Sequence, residues 1–195
     1  MSSTLIVFVR HPELGKVKTR LAKSIGDEEA LKVYKFLLRH TREIIEPLKI
    51  PIFIYYSEHL VQNDIWEGEK FHKRIQSGED LGKRMYNAFS EILMDKYSKV
   101  LIIGSDCYEL NKEIIEEGFN KLDNCDVVIG AARDGGYYLL GMKRPLPELF
   151  ENKKWSSNSV FEDTIRDIKQ LRLSVDYLPV LTDVDEEKDI TFSYY

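Results

Sequence analysis

Cysteine is scarce: Cys107 and Cys125 are the only two, and they form no C-x-x-C pair. That argues against a disulfide framework and suits reduced thiols in a cytoplasm. Long apolar runs are missing as well. No stretch approaches the roughly 18 residues of a membrane span, and the chain enters a strand-length apolar segment without a signal-peptide pattern. The expected location is cytoplasmic, with no membrane partner. Positive charge is not in excess, since 28 Lys and Arg against 33 Asp and Glu leave a formal charge of −5. A nucleic-acid binder needs a basic face to neutralise phosphates, so no nucleic-acid partner is expected. The phosphate-loop pattern G-x-x-x-x-G-K-[ST] and the dinucleotide fingerprint G-x-G-x-x-G are both absent. No G-x-S-x-G or Ser-His-Asp order stands out either, which argues against hydrolysis through a serine nucleophile. The histidines His11, His40, His59 and His72 show no metal-ligand spacing.

What is present begins with the segment Leu5 to Leu21, L-I-V-F-V-R-H-P-E-L-G-K-V-K-T-R-L. It reads as a buried strand running into a basic loop and then a helix. Gly15 would let the backbone approach an anion, Lys16, Lys18 and Arg20 supply charge, and Thr19 adds a hydroxyl near a helix start. The same segment also reads as an ordinary strand–turn–helix with a solvated basic end. The rest of the chain alternates. A helix follows Gly26 with Asp27 as its cap, and Pro51 opens the strand I-F-I-Y-Y. Phe71 to Gln76 makes a short strand, and Asp80 caps an amphipathic helix. Val100 to Gly104 is a buried strand, followed by a helix from about Asn111 to Leu122. Asp126 to Ala132 and Tyr137 to Met142 flank R-D-G-G, a hairpin signal. Ser159 and Glu162 form a capping-box pattern, and Ser174 to Val180 makes a last strand. No Pro-, Gly- or Ser-rich linker or internal repeat interrupts the order. The expectation is one domain over 1–195: an α/β/α sandwich with a mixed, mostly parallel sheet.

In open α/β sheets ligands bind beyond the carboxyl ends of the strands. Marked loops fall there: Arg10 to Arg20, Q-S-G-E-D-L-G-K-R (Gln76 to Arg84), G-S-D-C (Gly104 to Cys107), and Asp183-Val184-Asp185. Asp106 reads either as a helix cap or as a magnesium ligand. Mg²⁺ takes oxygen ligands, commonly one or two carboxylates plus substrate phosphates. Asp183 and Asp185 are one residue apart, so an extended backbone puts both on one side. Lysine and arginine at one end with carboxylates and metal at the other is what a di- or triphosphate requires. Cys107 reads as a thiol packing the strand end rather than a nucleophile.

The set G-K-V-K-T-R-L, Q-S-G-E-D-L-G-K-R-M, G-S-D-C, D-G-G-Y-Y-L-L-G and D-V-D-E-E-K-D resembles a bacterial family of small proteins assigned as glycosyltransferases, across nearly the whole chain. That family has the nucleotide-diphospho-sugar transferase (GT-A-like) fold and is related to molybdenum-cofactor guanylyltransferase and 2-phospholactate guanylyltransferase. The resemblance implies an Mg²⁺- (or Mn²⁺-) dependent transferase using a nucleotide or nucleotide-sugar and a small-molecule acceptor. It places Arg10, Gly15, Lys18 and Arg20 at the phosphates, with Lys18, Arg20 and Asp106 catalytic. Gln76, Gly78, Asp80, Arg84 and Ser105 would lie beside the nucleotide. Asp106 would hold the metal with Asp183 or Asp185. Asp134, Gly135, Gly136, Tyr137 and Trp155 would face acceptor or sugar. Glycosyl transfer is the first reading, nucleotidyl transfer the second, and a non-catalytic nucleotide-binding protein the third. The chain departs from the family at Tyr108, where proline is usual, and its end, F-S-Y-Y, has no reading.

Overall fold

The computed structural model describes residues 2–194. The order of elements is β1 (Ser3–Val9), α1 (Thr19–Ile25), α2 (Asp27–Ile45), β2 (Ile52–Tyr56), β3 (Phe71–Ile75), α3 (Leu81–Leu93), β4 (Lys99–Ile103), α4 (Lys112–Lys121), β5 (Val127–Ala132), β6 (Tyr137–Met142), α5 (Val160–Gln170) and β7 (Val175–Leu181). Every residue of β2 and of β4 is buried. Such unbroken apolar runs mark strands covered on both faces. Successive side chains of β1 leave in opposite directions. Leu5, Val7 and Val9 meet Tyr34, Leu38 and Ile45 of α2, while Ile6 joins the layer of Met85, Phe89 and Ile92 of α3. Residues of α4 complete the first layer and residues of α5 the second, which makes an α/β/α sandwich. Among the described residues no helix is long and apolar enough to cross a membrane.

The strands form one seven-stranded sheet in the order β3-β2-β1-β4-β6-β5-β7. β6 pairs antiparallel with β4 and β5, and all other pairings are parallel. Hence β1, β2, β3, β4, β5 and β7 deliver their carboxyl ends to one edge, where the β5–β6 hairpin also turns. From β1 the chain proceeds to β2 on one side and later returns to β4 on the other. This is the topological switch point at which α/β sheets bind ligands.

Two expected caps are corrected. Asp27 is the first residue of α2, and Gly26 occupies the cap position with φ 87°. A residue there needs a backbone that turns into the helix, and glycine supplies the positive φ. Ser159 precedes α5 but has helical backbone angles, and its hydroxyl donates to Asp163 Oδ2 at 2.9 Å instead of capping. A reciprocal capping box occurs elsewhere, between Glu186 and Asp189. Asp80 caps α3 as expected, its Oδ1 accepting from Lys83 N at 2.7 Å. Such a cap contributes about 1 kcal/mol.

Candidate active site

A cavity of about 1010 Å³ opens at the carboxyl edge of the sheet. It is lined by Arg10, Lys18, Arg20, Gln76, Asp80, Arg84, Ser105, Asp106, Asp134, Gly136, Tyr137, Trp155, Asp183 and Asp185. Loops far apart in sequence thus converge there as the sequence implied. Gly15, Gly78 and Gly135 do not line it. A Cβ on Gly15 would face the Asp27 carboxylate at 3.8 Å, so that glycine serves the loop and not a ligand. At Gly135, with φ +91°, a Cβ would sit 2.1 Å from the Asn158 carbonyl oxygen. The close approach expected for an acceptor is therefore made by the chain itself: the hairpin turn docks on the segment carrying Trp155.

Lys18 is the centre of the charge arrangement. It precedes α1 in a left-handed conformation, φ 48° and ψ 43°, which is rare for a residue with a Cβ. That backbone sends its side chain, 4% exposed, inward, where Nζ lies 3.0 Å from Asp106 Oδ1 and 3.4 Å from Asp185 Oδ1. Arg20 Nη1 meets the other Asp185 oxygen at 3.2 Å. Burial pulls the Lys18 pKa down, but Asp106, Asp185 and Asp183 more than offset it, leaving it above the ordinary lysine value. Asp183 has the opposite balance. Burial first and the nearby Asp106 charge second push it up to about 7, against the pull of Lys18.

The carboxylates are held by backbone. Asp183 forms an antiparallel bridge with Cys107, and Val184 N donates to Asp106 O at 2.9 Å. Asp189 accepts from the amides of Asp185 and Glu186 at 3.1 and 2.8 Å, which leaves the Asp185 carboxylate to the cations. Asp106 and Asp185 each offer one oxygen to the Lys18 ammonium and keep further carboxylate lone pairs for another cation. The oxygens of Asp106, Asp183 and Asp185 are not all within 4.8 Å of one another. Two carboxylates with room for phosphate oxygens is a donor set that suits magnesium.

Across the cavity, Gln76 Nε2 donates to the carbonyls of Tyr55 at 2.9 Å and Val9 at 3.4 Å. Arg84 Nε donates to Gly78 O at 3.1 Å, and Asn87 to Ser77 O at 2.8 Å, so α3 holds the Q-S-G turn. Trp155 packs on Gly82, where a Cβ would come within 2.3 Å of the indole. Its ring forms a wall beside the start of α3.

The sequence reading did not single out Tyr34, which lies among the apolar residues of α2. Its hydroxyl accepts from Arg10 N at 2.8 Å and reaches Arg10 O at 3.2 Å and Ser105 Oγ at 3.5 Å. It ties the loop after β1 to the loop after β4; burial, with the Asp106 charge, raises its pKa well above the usual value. A phenol in an aliphatic stripe was the available signal. Cys107 is buried, and burial with the Asp183 charge raises its pKa, in keeping with a packing role. Two of the histidines correct the reading of scattered spacing: His11 and His59 come together with Glu58.

The fold is that of the nucleotide-diphospho-sugar transferases. The chain belongs to a family described as "uncharacterized protein conserved in bacteria (DUF2064)", whose profile matches residues 42–157. A protein of Desulfovibrio desulfuricans G20 described as a nucleotide-diphospho-sugar transferase is 31% identical, with a TM-score of 0.87 over 100% of this chain and 90% of that one. Two further structures share the fold. The inositol-1-phosphate CTP transferase of T. maritima has a TM-score of 0.64 at 14% identity, over 97% of this chain and 92% of its own. The 4-diphosphocytidyl-2C-methyl-D-erythritol synthase of Anaerococcus prevotii DSM 20548 has 0.61 at 12%, over 97% and 92%. The comparison with curated proteins gave no match.

Proposed function

We propose that this protein is a transferase that uses a nucleotide-activated donor, with a nucleotide sugar as the first candidate. The carrying observation is Lys18, buried in the lining of the cavity and within 3.0–3.4 Å of Asp106 and Asp185. It supports a site where a bound diphosphate meets fixed positive charge on one side and metal-ligating carboxylates on the other. In this reading Asp106 and Asp185 would hold magnesium, whose charge would screen that of a diphosphate leaving group. Lys18 and Arg20 offset the negative charge that grows on the leaving oxygens, and Arg10 lies on the same loop to bind them. Gln76, Asp80 and Arg84, which line the same cavity, would contact base, ribose or phosphate. Tyr137 and Trp155 bound the region left for sugar and acceptor, and Trp155 offers a flat apolar face for a sugar ring. An acceptor hydroxyl would attack the anomeric carbon, breaking its bond to the diphosphate oxygen. Its proton would pass to a carboxylate base, and Asp134, exposed at the hairpin turn and lining the cavity, is the candidate.

Nucleotidyl transfer is the second reading, favoured by Lys18 and Arg20 rising directly from the loop after the first strand. There an acceptor phosphate oxygen attacks the α-phosphorus of a nucleoside triphosphate and pyrophosphate leaves. A melting-temperature panel with Mg²⁺ and each nucleoside tri- and diphosphate and common nucleotide sugar at about 1 mM separates them. A ligand at 100 times its Kd adds about 2.7 kcal/mol, or roughly 5–10 °C in a chain of this size. The largest rise with one nucleotide sugar is expected. A largest rise with one triphosphate, with pyrophosphate released, selects the second reading. No rise with any of them overturns both.

A further inference from the structure

We infer that His11, Glu58 and His59 form a second metal site, for a borderline divalent cation of the zinc class, at the lip of the cavity. One ligand atom from each residue lies within 4.8 Å of the others. The sheet explains the gathering. β1 and β2 pair in parallel with Val9 opposite Tyr56, so continuing the register sets Arg10 beside Ser57 and His11 beside Glu58. Ser57 N donates to Val9 O at 3.1 Å, which carries the pairing one step beyond the strands. Residues 48 positions apart in sequence, His11 and His59, are thereby neighbours.

His11 is prepared for the role. It is buried, 7% exposed, and its Nε2 lies 2.9 Å from the His59 carbonyl oxygen. A carbonyl only accepts, so in the neutral ring Nε2 carries the hydrogen and Nδ1 keeps its lone pair, with Ser57 Oγ 3.5 Å away. A backbone carbonyl on the opposite ring nitrogen is how ligating histidines are commonly oriented. The His59 ring stacks on His11 with centroids 3.9 Å apart and 21° between planes. Parallel rings do not aim their nitrogens at one point. His59 and Glu58 are exposed, however, and turn without disturbing the core. The nearby cation Lys16 is held by Glu13 at 2.6 Å.

The ligand chemistry sets the metal. Two imidazoles and a carboxylate suit zinc, cobalt and nickel, whereas magnesium prefers oxygen alone. Three protein ligands leave a fourth position for water or a phosphate oxygen. The site spans β1 and β2, while Asp106 and Asp185 follow β4 and β7, so the two are separate, and the inference stands apart from the proposed reaction. His11 and Glu58 line the same cavity as the carboxylates, which places this second cation at its rim.

The test is titration of the full chain with Co²⁺ alone, followed by calorimetry and by the visible d–d spectrum, with Zn²⁺ competition. Wild-type protein is expected to bind one equivalent that Zn²⁺ displaces. His59→Ala and Glu58→Gln, both exposed and tolerable to the fold, are expected to weaken binding at least tenfold. The double variant Asp106→Asn, Asp185→Asn is expected to bind Co²⁺ as wild type does. No binding by wild type, equal binding by His59→Ala, or loss of binding in the Asp106/Asp185 variant each overturns the site.

Discussion

Three lysine side chains are buried among the described residues, those of Lys18, Lys99 and Lys153, and the first and last of them differ in what surrounds them. Lys153, 1% exposed, pairs with Asp167, with Asp163 near enough to feel its charge, beside the segment that leads to α5. Lys18, 4% exposed, lies on the wall of the large cavity with Asp106 and Asp185 in contact and Asp183 near enough to be felt. The first pair, that of Lys153, borders a small pocket of about 310 Å³, whose lining adds Glu148, Glu151, Asp163 and Arg166. The second carries more carboxylate than cation, opens to a cavity, and holds its lysine in a left-handed backbone. Burial of a charge is therefore not what marks a functional lysine here. Direct contact with two carboxylates, the larger cavity and the strained backbone do so together.

The comparison breaks most sharply at Asp106. Asp106→Ala is expected to lower turnover by about 100-fold or more, because it removes a ligand of transition-state charge rather than a packing contact. Asp106 is part-exposed, so the melting temperature should stay within a few degrees. Near-normal turnover in this variant would remove the site from the cavity. Next come the lysines. Lys18→Met should cost at least tenfold in rate, about 1.4 kcal/mol. It should also lower the melting temperature in metal-free buffer, since Asp106, Asp183 and Asp185 are left to repel one another. Mg²⁺ at millimolar concentration should restore that loss. Lys153→Met should cost about 2 kcal/mol, less than a fully buried pair because Asp167 is partly wet, with no rescue by Mg²⁺ and no change in rate. Equal responses of the two variants to Mg²⁺ would dissolve the distinction.

Asp183 sharpens it further. Its folded pKa, about 7, lies above the unfolded value of 3.8, so between those pH values the folded protein holds a proton that the unfolded chain has lost. Stability from this group is complete below about pH 4 and declines as pH rises to about 7. The decline is about 1.4 kcal/mol for each pH unit crossed. Asp183→Asn should flatten the metal-free stability profile in that window and leave the protein more stable than wild type at neutral pH. Urea titrations at pH 4, 5.5 and 7 read this directly. A wild-type profile already flat would mean that Asp183 is ionised throughout.

Much of this was legible in the sequence. Unbroken apolar runs such as Ile52–Tyr56 and Val100–Ile103 announce strands covered on both faces, and R-D-G-G announces the hairpin. The marked loops Arg10–Arg20, Gln76–Arg84, Gly104–Cys107 and Asp183–Asp185 supply much of the cavity lining. What the sequence hid was position in space. The register of β1 against β2 brings His11 to Glu58 and His59, yet nothing in their linear spacing suggests it. Tyr34 keeps the period of its helix while its hydroxyl serves the opposite purpose. Ser159 has the residue type of a cap but not the extended backbone, a choice made by the docking of Gly135 against Asn158. Asp183 and Asp185 look equivalent in one dimension. They separate only when the 186–189 turn frees one for Lys18 and burial isolates the other.

The smallest expected effect lies at the chain's end, where the sequence offered no reading for F-S-Y-Y and Tyr108 stood in an unexpected place. Phe192 and Tyr108 explain each other, while Tyr195 lies outside the described residues. The Phe192 ring stacks on Tyr108 with centroids 4.0 Å apart, and on Phe36 of α2 at 5.0 Å. His40 tilts onto Tyr108 at 4.7 Å, and its Nε2 lies 3.3 Å from Leu110 O. Tyr108 follows the Asp106–Cys107 turn by one residue, so an aromatic stack fixes the loop where a stiff residue otherwise would. An aromatic pair contributes about 0.5–1.5 kcal/mol beyond its buried area. If that energy holds Asp106 in place, Phe192→Ala should lower kcat roughly twofold to tenfold, with Phe192→Trp close to wild type. The donor's KM should change little, since Gln76, Asp80 and Arg84 lie on the other side of the cavity. A fall in melting temperature with kcat intact would make the tail a brace for α2 alone. A fall in kcat that tryptophan restores would tie the last strand's extension to the carboxylate it helps to aim.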